Sequence, residues 1–82
     1  MAQFYYVYVL RRPKDGRLYI GLTKDLERRI GEHRTGRGGK TTLSYKDFEF
    51  VYAEAGLSRV KANARERYFK TGFGRKFLKN RI

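Results

Sequence analysis

An α+β fold, with a central three-stranded, mainly antiparallel sheet flanked by helices, is what three features of this 82-residue sequence predict. Two runs rich in tyrosine and β-branched residues, FYYVYVLRR and RLYIGL, are separated by the turn sequence Pro-Lys-Asp-Gly. A third run, DFEFVYAE, alternates polar and apolar residues further along the chain. Helical spacing of apolar residues fills the intervals between and after these runs. The order is β-β-α-β-α-α, read as one domain over residues 1–82.

Taken in order, the first run extends from Phe4 to Arg12 and is apolar at both parities, so the sheet is expected to be covered on both faces. Pro13 presets the second turn position and Asp15-Gly16 closes the turn. The returning strand ends near Leu22. Thr23 is the expected N-cap of a first helix running to about Arg34, with Asp25 and Glu27 where the helix dipole favours acids. RTGRGGKT reads as a basic loop. After the third strand, Ser58 caps a second helix through Lys70, stopped near Gly72, and GRKFLKNRI forms a short amphipathic terminal helix.

Charge narrows the function classes. Twenty Lys and Arg against eight Asp and Glu leave a net charge of +12 and a pI near 10.4. The last 26 residues hold nine bases and a single acid, whereas the first 56 hold eleven bases and seven acids. A polyanion is the implied partner, and nucleic acid fits better than a membrane surface, because the basic segment carries glycines and tyrosines suited to a packed fold. The chain has no cysteine, signal-peptide pattern or membrane-length apolar run, so a soluble cytoplasmic protein is expected. GRGGKTT is not a phosphate-binding P-loop, because the position five before Gly39 is Arg34 rather than glycine.

The chemistry concentrates in LYIGLTKDLERRIGEH. With Leu26 and Ile30 as the buried stripe of the first helix, His33 falls about 20° from Leu26, Arg29 about 60° and Arg28 about 160°. Arg28 therefore points to solvent, while Arg29 and His33 line the edge of the face that meets the sheet. A snorkelling arginine is the ordinary explanation of such an edge; a carboxylate or a visiting phosphate is the other. If Arg12 pairs with Arg17 across the turn, Leu10 faces Tyr19 and Tyr8 faces Gly21. Tyr8 and Tyr19 then become diagonal neighbours on one face. Gly21 is expected to leave space for a ligand over them, or to mark only a bulge. Glu66 is the lone acid after Glu54, within KANARERYFK. It can pair with Lys70 at i+4, or hold a divalent cation as a one-metal phosphodiesterase requires.

This ordered set, Tyr6-Val7-Tyr8, Tyr19-Ile20-Gly21, Arg29, His33 and Glu66, resembles the GIY-YIG nucleases over essentially the whole chain. The small stand-alone members are the nearest in form, and the nuclease domain of the nucleotide-excision-repair excinuclease is similar. Tyr6 and Val7 stand where the first motif has glycine and isoleucine; both suit a strand and leave Tyr8 in place. The resemblance implies a metal-dependent endonuclease acting on nucleic acid, DNA in preference to RNA, with Mg²⁺ or Mn²⁺. It implies Tyr8 and Tyr19 as the motif tyrosines, Arg29 as the phosphate-side cation, Glu66 as metal ligand, His33 as a motif histidine and Asn80 as the late asparagine. Lys40, Arg65, Lys70, Arg75, Lys76 and Lys79 are the candidate backbone contacts, and the oligomeric state is left open, a monomer being compatible with it.

In the implied mechanism one tyrosine takes or orients the proton of the attacking water, and either tyrosine can serve. An ordinary phenol, with a pKa of about 10, needs nearby cations for that task. The alternative is a non-catalytic basic module that binds nucleic acid through the same face.

Overall fold

The computed structural model of the chain describes residues 4–34 and 48–82, with backbone alone for residues 33 and 34. The elements are β1 (Tyr5–Arg12), β2 (Arg17–Thr23), α1 (Leu26–Arg34), β3 (Glu49–Leu57), α2 (Arg59–Phe69) and α3 (Gly72–Lys79), an α+β arrangement in the expected order. β1 is the middle strand, and both neighbours run antiparallel to it, in the order β2-β1-β3. Most of the basic glycine-rich loop, with Lys40, lies outside the described residues.

The hairpin follows from its turn. The Arg12 carbonyl accepts from the Asp15 and Gly16 amides at 3.3 and 2.7 Å, Pro13 occupies the position that wants its fixed φ, and Gly16 takes φ +75°. Asp15 accepts from the Arg17 amide and from the Arg12 guanidinium, which holds its carboxyl well down, at about 2. Arg12 then faces Arg17, Leu10 faces Tyr19 and Tyr8 faces Gly21, the register that parity and loop length predict.

β3 departs from the simple alternation of its sequence. Two register shifts interrupt its pairing with β1, one between Val9 and Leu10 and one between Tyr5 and Val7. At the first, one step along β1 spans two along β3, so Val51 is the extra residue of a bulge. Phe50 therefore packs with Tyr8 and Leu10, while Tyr52 joins the opposite face with Val9. At the second shift Gly56 adopts φ +78°.

Two apolar layers result, as the doubly apolar β1 requires. On one face Val7, Val9 and Ile20 pack with Ala62 and Phe69 of α2 and Leu78 of α3. On the other, Tyr8 and Leu10 pack with Leu26, Phe48 and Phe50. Fully burying each of the larger side chains contributes about 1.5–3 kcal/mol, and Val7, Val9, Leu10, Phe69 and Leu78 are all sealed from solvent.

The helix ends differ in part from expectation. Ser58 caps α2 by accepting from the Lys61 amide at 3.2 Å, as predicted. The α1 cap is Asp25, whose carboxylate accepts from the Arg28 amide at 3.0 Å, and not Thr23. Thr23 still pairs with Tyr6 at the end of β2, and its hydroxyl accepts from the Asp25 amide. A residue still in the ladder cannot also cap. Gly72 does not stop α2; Lys70 is the C-cap, and Thr71 caps α3 by accepting from the Gly74 amide.

Gly74 is where α3 meets α2. A Cβ there would overlap the Tyr68 carbonyl oxygen and lie 2.6 Å from the Phe69 Cα, both of them backbone. Backbone cannot rotate away, so Gly74→Ala is expected to destabilise the fold by about 1–3 kcal/mol or more, read from the urea midpoint. Gly31→Ala is the contrast, because a Cβ on Gly31 meets nothing within 4 Å. It should stabilise α1 by up to about 1 kcal/mol through helix propensity.

Candidate active site

The hairpin supplies the tyrosines. Tyr8 is buried and Tyr19 half-exposed, with ring centroids 6.5 Å apart and Phe50 against Tyr8 at 5.5 Å. Gly21 does not leave an open space for a ligand, as the sequence suggests. A Cβ at Gly21 would overlap the Cζ and Oη of Tyr8, so the Tyr8 ring itself fills the place of the missing side chain. The glycine lets Tyr8 lie down across β2 beside Tyr19, and Tyr19 is the exposed member of the pair.

β2 leads directly into α1, and at that junction lies a cleft of about 300 Å³ lined by Thr23, Lys24, Asp25, Arg28, Arg29 and Glu32. Leu26 anchors this junction on the tyrosine face of the sheet. The helical wheel holds: the Arg28 side chain is 76% exposed, that of Arg29 35%. Glu32 joins both, meeting Arg29 Nη1 at 3.2 Å and Arg28 Nε at 3.4 Å. Glu32 was not singled out from the sequence, although its i+3 and i+4 spacing from the two arginines signals the pairing. Three cations, Lys24, Arg28 and Arg29, thus line one cleft at the start of a helix capped by Asp25. Such a surface is chemically suited to an anion such as phosphate, whose oxygens can compete with Glu32 for the arginines. His33 belongs to the same helix, its side chain lying outside the described residues.

Glu66 sits on α2, on the opposite side of the sheet from the tyrosines, 40° around the helix from buried Ala62 by the usual rotation of about 100° per residue. Its carboxylate meets Lys70 at 3.7 Å, the i+4 contact that the sequence allows. Among the described residues no three His, Cys, Asp or Glu side chains gather as a metal cluster. The donor set still fits a hard divalent cation of the Mg²⁺ type. That ion keeps several waters and takes one or two carboxylates plus phosphate oxygens. Glu66 is half-buried, and among the described residues its ion pair is the long contact to the exposed Lys70.

The candidate backbone contacts divide. Arg75, Lys76 and Lys79 are exposed on α3, and Lys70 is exposed at the α2 terminus. Asn80 is the exposed C-cap residue of α3. Arg65 is engaged within the fold instead. Its Nε and Nη2 donate to the two Glu54 oxygens, both at 2.8 Å, while its guanidinium lies over Phe69 and Tyr68 at 4.5 and 4.9 Å. Tyr52 completes the set by donating its hydroxyl to Glu54 at 2.9 Å.

Hydrogen bonding from Arg65 pulls the Glu54 carboxyl below its ordinary range. Burial first, then the bond to Glu54, pushes the Tyr52 phenol up. A depressed carboxyl pKa contributes stability that is fully present above the unfolded value of about 4.3 and is lost as pH falls through the folded value. The acid limb of a stability–pH curve should therefore be steeper in wild type than in Glu54→Gln below about pH 4.3, measured as the urea midpoint at each pH.

No helix among the described residues is long and apolar enough to cross a membrane. Comparison with known proteins agrees with the geometry. The family model of the GIY-YIG catalytic domain matches residues 4–80. UPF0213 protein SSP2268 of Staphylococcus saprophyticus is 39% identical over 75 residues, covering 92% of this chain and 90% of its own. UPF0213 protein ORF82 of the Orgyia pseudotsugata multicapsid polyhedrosis virus is 37% identical, over 93% of this chain and 72% of its own. The solution NMR structure of UPF0213 protein BH0048 from Bacillus halodurans superposes with a TM-score of 0.57 at 34% identity, over 94% of this chain and 83% of that one. The tyrosine hairpin, the arginine-lined cleft beside it and these matches lead to one assignment: the chain belongs to the GIY-YIG family, a nuclease-associated family whose domain implies a nucleic-acid partner, and is related to its small UPF0213 members.

Proposed function

We propose that the chain is a cytoplasmic, metal-dependent endonuclease that hydrolyses phosphodiester bonds in nucleic acid, with DNA favoured over RNA as the substrate. The observation that carries this reading is one hairpin of fixed register that holds the Tyr8–Tyr19 pair and leads, at the end of β2, into a cleft lined by a half-buried Arg29. A merely basic surface does not require paired tyrosines over a bare glycine, nor a half-buried arginine.

Glu66 would hold the divalent cation, Mg²⁺ or Mn²⁺, which would supply Lewis-acid stabilisation of the phosphate and leaving oxygens. Arg29 donates to the phosphate oxygens on which charge accumulates in the transition state. A tyrosine of the pair accepts or orients the proton of the attacking water, and His33 relays it or contacts phosphate. Glu66 and Arg29 belong to helices over opposite faces, so they meet one phosphate only around β2, the edge strand of the sheet. Tyr19 is the exposed large hydrophobic side chain on that edge strand, which makes the β2 margin the path of the scissile backbone.

Incubation with labelled single-stranded, duplex and branched DNA and RNA in Mg²⁺, Mn²⁺ or EDTA tests the reading. Cleavage with metal and none in EDTA is expected. Binding without cleavage in every metal would replace the enzyme by a basic binding module.

A further inference from the structure

We infer that Phe73 is a stacking platform for an unpaired nucleobase beside the proposed cleavage site, an inference that rests on the nucleic-acid reading above. Phe73 is 82% exposed, the most exposed of the large hydrophobic side chains described. It belongs to neither apolar cluster of the fold. One helical turn later, Phe77 is packed among Tyr52, Tyr68 and Phe69 with centroids 5.9–6.4 Å apart. The aromatic stripe of α3 thus continues past the end of the core, and its last ring projects into solvent.

The surroundings of that ring are cationic. Lys70, Arg75 and Lys76 are exposed within three residues on either side, and the first turn of α3 carries no acid. The Thr71 cap uses the Gly74 amide and the Thr71 carbonyl takes the Arg75 amide, so the helix start presents its remaining donors outward. An apolar protein partner gains nothing from this ring of like charge, whereas nucleic acid offers a π-face and phosphates together. Base–aromatic stacking of this kind tolerates any base but needs one that is not already paired and stacked. Phe73 follows the Glu66 side of the site in sequence: Lys70, three residues before it, meets Glu66. A strand whose phosphate lies at Glu66 can lay a neighbouring base on Phe73 while Lys70, Arg75 and Lys76 follow its backbone.

The chain has no tryptophan, so Phe73→Trp installs a single fluorescent reporter at this position. In EDTA, where binding is read without cleavage, single-stranded oligonucleotide should quench that tryptophan strongly and a blunt duplex should not. Phe73→Ala should weaken single-strand affinity by about tenfold in fluorescence anisotropy, the scale of one lost stack, with duplex affinity unchanged and Phe73→Trp retaining wild-type affinity. An unquenched tryptophan at saturating single strand would overturn the inference, as would equal losses for single strand and duplex. Phe73-dependent self-association by sedimentation would overturn it too, by assigning the ring to a second copy of the chain. Cleavage assays on wild type are separate, so quenching by a protein that never cuts would keep the stack and remove the enzyme.

Discussion

Glu66→Gln is expected to abolish metal-dependent cleavage while leaving the fold and nucleic-acid affinity close to wild type. The amide keeps the shape of the side chain and removes the charge that a hard cation requires. The structural cost is small because, among the described residues, the ion pair lost is the 3.7 Å contact to Lys70, a surface i+4 pair worth about 0.3–0.5 kcal/mol. Glu66 also lies outside the fully buried set, so no core packing depends on its charge. Measured as single-turnover cleavage at saturating protein and Mg²⁺, the rate should drop to background, with an unchanged thermal midpoint as the control. Cleavage at the wild-type rate would remove Glu66 from the metal site. A lost rate accompanied by a collapsed midpoint would mean that the carboxylate is structural.

Arg29→Ala should lower the cleavage rate by about a hundredfold or more, the usual loss when a charged transition-state donor is removed, and Arg28→Ala by far less. The two residues are neighbours in sequence, line the same cleft and share the Glu32 carboxylate, so net charge and local helix propensity change alike. Only their direction differs, Arg29 lying half-buried against the sheet side and Arg28 standing in solvent. The comparison therefore isolates position from charge. Equal losses would show that the cleft acts as a diffuse positive field and that Arg29 holds no particular oxygen.

What could be read from the chain beforehand was whatever local geometry decides. The Pro13–Gly16 turn and strand parity are properties of neighbouring residues, so the register that places Tyr8 against Gly21 followed from them, as did the difference between Arg28 and Arg29. Three features depended on partners remote in sequence and stayed hidden. Arg65 looked like one more base on a basic helix; its carboxylate is Glu54, eleven residues earlier on β3, and its packing surface is the aromatic cluster between helices. The space at Gly21 looked available until the Tyr8 ring was found to occupy it. Thr23 and Asp25 are both good caps, and the choice between them was made by how far the β1–β2 ladder extends. The bulge at Val51 is a further case, because period-two alternation carries no mark of an extra residue.

The turn between Arg12 and Arg17 makes loop length a chemical variable. Surface loops usually absorb insertions at little thermodynamic cost. Here the four residues from Pro13 to Gly16 decide which face of the sheet each side chain of β2 enters. Lengthening them by one, if pairing slid to match, would exchange Tyr19 for Leu18 or Ile20 beside Tyr8 and put a side chain where Gly21 now yields to the ring. A slide by two would restore the parity but set Tyr19, not Gly21, opposite Tyr8. The hairpin is thus held to a single register by a tyrosine ring several residues away from the turn itself.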